Sequence, residues 1–136
     1  MKTHLNFATR DLEKSIAFYR TLLQSEPAKQ LDDYALFITE DPGLELALDL
    51  NPEVQPSHSA HFGVVVDSVD AVEASAARFQ HAGWATRIDR EDTCCYANQT
   101  KVWATDPDGR RWEVYTVHEE TEARDTAEIS CCASRP

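Results

Sequence analysis

From Thr3 the chain alternates, with His4, Asn6 and Ala8 on one side and Leu5 and Phe7 on the other, which predicts a half-buried strand. The period then lengthens. Ile16, Phe18, Tyr19, Leu22 and Leu23 recur at helical spacing over residues 14–23, with Asp11 placed to cap the first turn and Pro27 beyond the last. Strands are expected at 34–39 and 44–50 around an Asp41-Pro42-Gly43 turn, with a short additional one near 28–30.

After a connection over residues 51–59 that contains Pro52 and Pro56, the same order begins again. Residues 61–66 read as a strand. Ser68 or Asp70 caps a helix running to His81 and stopped by Gly83, with Val69, Val72, Ala76 and Phe79 as its expected buried face. Strands at 84–88, 97–105 and 111–117 follow, the last two joined by a tight turn at Asp106-Pro107-Asp108-Gly109. Placing His4 on His61 gives an offset of 57, which also carries Asp11 onto Ser68, Leu12 onto Val69 and Leu22 onto Phe79. The pattern predicts an α+β protein of two tandem βαβββ modules, about 1–55 and about 58–120, in one domain over residues 1–120. A polar tail over 121–136 follows.

A length of 136 residues with 42% apolar content suits one domain with a real core. The formal charge of −11, from 24 acidic and 13 basic residues, argues against a nucleic-acid partner. No apolar run approaches the roughly 18–20 residues needed to cross a bilayer, and the start lacks a basic region followed by an apolar stretch. No membrane partner is therefore expected, and the expected compartment is the cytoplasm. There the four cysteines, in the adjacent pairs Cys94-Cys95 and Cys131-Cys132, stay reduced. Neighbouring Cα atoms lie about 3.8 Å apart, too close for an unstrained disulfide, so each pair offers two free thiols.

In a duplicated module of this kind the first strand of each half can lie beside the pseudo-twofold axis, bringing His4 and His61 together. Glu113 stands in the last strand of the second half between Trp112 and Val114. A carboxylate buried there needs a partner. Two imidazoles and one carboxylate form a facial triad that leaves positions open on iron(II) for dioxygen and substrate. The bland alternative is two hydrogen-bonded strand histidines and a glutamate paired with an arginine. In the first half, Ala47 and Leu48 fall where the counterpart of Glu113 is expected, although a slip of one or two residues brings Glu45 into play.

Trivalent arsenic is soft and thiophilic, so Cys94 and Cys95 together can hold one arsenic atom. They lie in the polar run Asp92-Thr93-Cys94-Cys95-Tyr96-Ala97, expected to be a connection overhanging the metal pocket. In a regular strand the two side chains would point to opposite faces, so convergence requires irregular backbone. The plain alternative is that each cysteine packs as a small hydrophobe. Cys131 and Cys132 are candidate accessory thiols. His58 reads as exposed in the connector, and His81 and His118 as ordinary helix-end and strand-end residues.

The helix segment 11–19, the run Thr93-Cys94-Cys95-Tyr96-Ala97, the triplet Lys101-Val102-Trp103, the turn Thr105-Asp106-Pro107-Asp108-Gly109 and Trp112-Glu113-Val114 together resemble the vicinal oxygen chelate superfamily. The cysteine run resembles its arsenic-carbon lyase branch, which includes cadmium-induced and glyoxalase-like relatives. The match covers roughly residues 3–118. The resemblance implies a cupped mixed sheet around a metal site, with iron(II) bound by His4, His61 and Glu113 and arsenic bound by Cys94 and Cys95. It implies dioxygen as co-substrate, trivalent methyl or aromatic organoarsenicals as small-molecule substrates, inorganic arsenite as product, and a role in arsenic detoxification. A homodimer is the assembly to test. Because thiolates bind, affinity is expected to rise with pH toward the ordinary cysteine pKa of roughly 8.5. Rival expectations are another metal-dependent enzyme of glyoxalase or extradiol dioxygenase type, and a non-catalytic protein that sequesters cadmium or arsenic.

Overall fold

A computed structural model describes residues 1–56, 60–94 and 97–120, without the side chains of 91–97 and 119–120. Cys95, Cys131, Cys132 and His58 lie outside the described residues. The described chain forms two compact units, 1–56 together with 106–109, and 60–105 together with 110–120.

In the first unit, strands β1 (Thr3–Thr9), β2 (Lys29–Gln30), β3 (Tyr34–Glu40) and β4 (Gly43–Leu50) form one sheet in the order β1-β4-β3-β2. β1 runs parallel to β4, and the other pairs are antiparallel. A parallel pair cannot be joined by a tight turn. Helix α1 (Leu12–Leu23) lies between β1 and the rest of the sheet in sequence and packs against β3 and β4. It begins where Asp11 accepts a hydrogen bond from the Lys14 amide at 3.1 Å. Its buried face, Leu12, Ile16, Phe18, Tyr19, Leu22 and Leu23, joins Phe7, Ala35, Phe37, Leu46 and Leu48 in the core.

The turn Asp106–Gly109 is anchored in this unit. Tyr19 Oη donates to Asp106 Oδ2 at 2.6 Å, and the Arg10 amide and Nε donate to Asp108 Oδ1 at 3.0 and 3.1 Å. Asp106 and Asp108 are buried, so these donors stabilise charge where water does not. Tyr19→Phe removes a hydrogen bond to a charged acceptor and is expected to cost about 1.5–3 kcal/mol. The urea unfolding midpoint measures it, and an unchanged midpoint would mean that the bond adds nothing over water.

The second unit repeats the order. Strands β5 (His61–Val65), β6 (Thr86–Cys94), β7 (Ala97–Thr105) and β8 (Arg111–Glu120) form a sheet ordered β5-β8-β7-β6, with β5 parallel to β8. Helix α2 (Val69–His81) packs on β6, β7 and β8, and Ser68 Oγ caps it by accepting from the Ala71 amide at 3.2 Å. Both helices thus start 57 residues apart, as do their caps. Val69 departs from expectation: it is 38% exposed, because the buried stripe of α2 begins one turn in, at Val72. Among the described residues no helix is long and apolar enough to cross a membrane.

β6 is longer than its pattern predicts. Past a register shift between Asp89 and Asp92 it continues to pair with β7, Asp92 with Gln99, Thr93 with Asn98 and Cys94 with Ala97. The expected connection around Cys94 is therefore strand up to and including that residue. Its sequence, Glu91-Asp92-Thr93-Cys94, has no apolar alternation from which to infer it.

Candidate metal centre

Side chains alternate across a sheet, so register decides which residues meet. One row across the second sheet is Gly63, Glu113, Trp103 and Arg87. The next row on one side holds His61 and Arg111, and on the other Val65, Tyr115, Lys101 and Asp89. All share a face. Trp112, Val114, Val102 and Ala104 occupy the opposite face and are buried. Phe62 stacks on Trp112 there, with ring centroids 5.1 Å apart. The second sheet therefore has one apolar face and one face that concentrates ionisable groups.

Glu113 is at the centre of that polar face and only 8% exposed. Its two oxygens point at different partners. Oε1 lies 3.5 Å from His61 Nε2, and Oε2 lies 3.3 Å from Lys101 Nζ. Oε2 is buried and makes no hydrogen bond among the described residues, so the lysine is near enough for ion pairing but not aligned to donate. Lys101 is itself 1% exposed, with its ammonium 5.7 Å from the Trp103 ring centroid. The Arg111 guanidinium lies 5.8 Å from the same ring, and the His61 ring meets it edge-on at 5.3 Å. Tyr115 is raised above its ordinary pKa by burial and, secondarily, by the Glu113 charge.

Gly63 leaves the room in which Tyr115 and this carboxylate pack closely against the strand. A Cβ there would meet Tyr115 Cε1 at 3.0 Å, Glu113 Cγ at 3.1 Å and Glu113 Oε1 at 3.3 Å.

His4 lies on β1 of the first unit, more than half exposed, with Nδ1 3.6 Å from Glu45 Oε2. On the same face, Asn6 donates to Asp49 Oδ2 at 2.9 Å. The registers also resolve which residue matches Glu113. His4 pairs with Glu45 as His61 pairs with Arg111, and Asn6 with Ala47 as Gly63 with Glu113. Ala47 is the counterpart, and the first sheet offers no carboxylate at that position. Of the expected donors, the structure brings His61 and Glu113 together. Among the described residues no three His, Cys, Asp or Glu side chains gather around one point.

Cys94 ends β6, six residue pairs along the ladder from the row that holds Trp103 and Glu113. A straight ladder would put it roughly 20 Å away. Lys101, Trp103 and Arg87 were not singled out as site residues from the sequence. The available signal was the parity of Lys101 and Trp103 against the apolar Val102 and Ala104.

A mixed sheet covered on one face by its helix, with His and Glu on adjacent parallel strands of the other, is a βαβββ unit that carries a candidate metal centre on its open face. The chain belongs to the Glyoxalase/Bleomycin resistance protein/Dioxygenase superfamily, whose model matches residues 3–114. It is 40% identical over 134 residues to a "Trivalent organoarsenical cleaving enzyme" of Bacillus sp. strain MD1, covering 98% of this chain and 83% of that one. It is 46% identical over 112 residues to a "Cadmium-induced protein" of Mycobacterium bovis, covering 82% and 73%. Among solved structures, a glyoxalase/bleomycin resistance protein/dioxygenase from Alicyclobacillus acidocaldarius superposes with a TM-score of 0.70 at 18% identity, covering 88% of this chain and 92% of that one. That likeness bears out the α+β fold expected from the repeat.

Proposed function

We propose that this chain is an iron(II)- and dioxygen-dependent enzyme that cleaves the carbon-arsenic bond of trivalent organoarsenicals, methylarsenite among them, and releases inorganic arsenite. His4, His61 and Glu113 hold the iron, and Cys94 and Cys95 hold the arsenic. The observation that carries the metal assignment is Glu113: a buried carboxylate with one oxygen facing an imidazole and the other lacking a hydrogen bond among the described residues. A metal ion would give this carboxylate a direct bond, which the misaligned lysine does not supply. The donor set, imidazole and carboxylate, also suits iron(II). His4 joins on the strength of the internal repeat. The arsenic assignment is supported by the vicinal thiols and by the 40% identity to the organoarsenical cleaving enzyme of Bacillus sp. strain MD1.

Bound iron(II) would supply the activation of dioxygen, and the rest is the chain's own work. Glu113 gives the site its negative charge, and Lys101 and Arg111 beside it offset that charge within the sheet. Two thiolates hold arsenic at a fixed place, which turns an encounter into an oriented reaction. The register shifts between Asp89 and Asp92 and between Asn98 and Gln99 mark facing strands where the ladder already departs from regularity.

A second proposal is sequestration of arsenic or cadmium by the thiols without turnover. Aerobic incubation of the iron-loaded chain with methylarsenite separates the two. Arsenite appearing in proportion to dioxygen consumed supports the enzyme, and stoichiometric binding with no product supports sequestration. Gly63→Ala tests the metal site independently. The added Cβ pushes on Glu113, and metal affinity is expected to fall by about 10- to 100-fold, as for other changes that disturb a ligand's support. Cobalt titration of the metal-free chain reads it, and an unchanged affinity would remove Glu113 from the ligand set.

A further inference from the structure

A cavity of about 280 Å³ opens beside Trp103 in the second unit, lined by Trp84, Ala85, Thr86, Arg87, Trp103 and Thr105, with Ala104 completing the wall. Its size is near the lower end of the roughly 300–1,000 Å³ typical of small-molecule sites. Trp103 is common to this cavity and to the candidate metal centre, since the His61 ring meets it at 5.3 Å. The walls are held in place. Asp89 Oδ2 accepts from Arg87 Nη2 at 2.7 Å and from Trp103 Nε1 at 3.2 Å, fixing a guanidinium and an indole against each other. Arg87 Nε is buried and has no hydrogen-bond partner among the described residues.

Three observations specify a ligand. Two indoles present flat apolar walls, which suit an aromatic ring. The Arg87 guanidinium, 31% exposed on the cavity wall and paired with Asp89 through Nη2, is a group that favours a planar oxygen anion. Around Trp103 stand three cations, Arg87, Lys101 and Arg111, against two carboxylates, Asp89 and Glu113. That local surplus of positive charge stands out in a chain of net charge −11.

We propose that this cavity is the subsite for the organic group of the substrate, and that the group it selects is an aromatic ring bearing an oxygen anion. Trp84 and Arg87 are the specificity-determining residues. The ring would extend from the reacting carbon over Trp103 into the cavity, its anion accepting from Arg87. The link to arsenic rests on the proposed function above, whereas recognition of the ring does not.

The test uses the full chain and benzoate, which carries ring and anion without arsenic. The chain has three tryptophans and so three indole N–H signals by NMR. Benzoate is expected to move those of Trp84 and Trp103 saturably and to leave Trp112, on the opposite face, in place. Cyclohexanecarboxylate, with the anion but no aromatic face, moves neither. Arg87→Leu weakens benzoate binding about tenfold or more, the effect of a lost charge-assisted hydrogen bond. Trp84→Ala weakens it as well, and an unmoved Trp112 signal in each variant confirms a folded sheet. In turnover, the ratio of rates for 4-carboxyphenylarsenite and methylarsenite falls about tenfold in Arg87→Leu. Absence of saturable shifts, equal movement of Trp112, or an unchanged ratio overturns the assignment. Failure to cleave either arsenical while benzoate still shifts Trp84 and Trp103 counts against the lyase alone and leaves the aromatic site standing.

Discussion

Glu113→Ala is expected to destabilise the metal-free protein by about 3–5 kcal/mol, in addition to removing its capacity for iron. The cause is Lys101. At 3.3 Å the attraction between its ammonium and Glu113 Oε2 amounts to roughly 5 kcal/mol at an effective dielectric constant near 20. Taking each ion out of water costs several kcal/mol, so the pair as a whole contributes little to stability. Deleting one member changes the balance, because the cost of burying a lysine that is 1% exposed then stands without the attraction that offset it. Against a typical total stability of about 5–15 kcal/mol, the loss is large. Urea unfolding of the metal-free protein measures it. The double variant Glu113→Leu/Lys101→Met is expected to recover most of the loss, since it removes both charges and keeps apolar volume beside Trp103. A Glu113→Ala protein as stable as its parent would show that Lys101 finds water, and that the pair is not buried in solution.

That dependence on Lys101 marks the boundary of what the sequence made legible. Both helices, their caps at Asp11 and Ser68 and the order of the strands follow from periodicity, because each element hides a stripe of apolar side chains. The equivalence of His4 and His61 was legible for the same reason, being a repeat of whole elements. Register was not. Lys101 sits in β7 directly across from Tyr115 and one row from Glu113, an adjacency that exists only once β7 and β8 are paired. Nothing in the local sequence distinguishes that lysine from one on a solvated face. The same limit applies to Trp103, whose hydrogen bond to Asp89 depends on the β6–β7 ladder, whereas Arg87 meets Asp89 two residues along the same strand. The arm that carries Cys94 was missed for a different reason: the run Glu91-Asp92-Thr93-Cys94 carries no apolar alternation, although its backbone pairs with β7. Val69 is the converse, an apolar residue at the right spacing whose turn of helix lies beyond the edge of the packing.

Cys95→Ser is expected to lower affinity for methylarsenite by about 10²- to 10⁴-fold, because the second thiolate binds an arsenic already held by the first at high effective concentration. Iron affinity should be unaffected, since neither thiol is assigned to the metal. His61→Ala should give the reverse: weak iron binding, with arsenic still captured. Titrating each variant separately with methylarsenite and with iron(II), each under anaerobic conditions, gives four affinities that must fall into this crossed pattern. The crossing is informative because the proposal assigns arsenic capture to the thiols and chemistry to the metal centre, so each substitution should touch one function and leave the other in place. Loss of arsenic affinity in His61→Ala to the same degree as in Cys95→Ser would mean instead that arsenic capture depends on the His61–Glu113 pair as much as on the thiols. The thiols would then have no separate part in binding, and the division of labour between Cys94-Cys95 and the His61–Glu113 pair would be wrong.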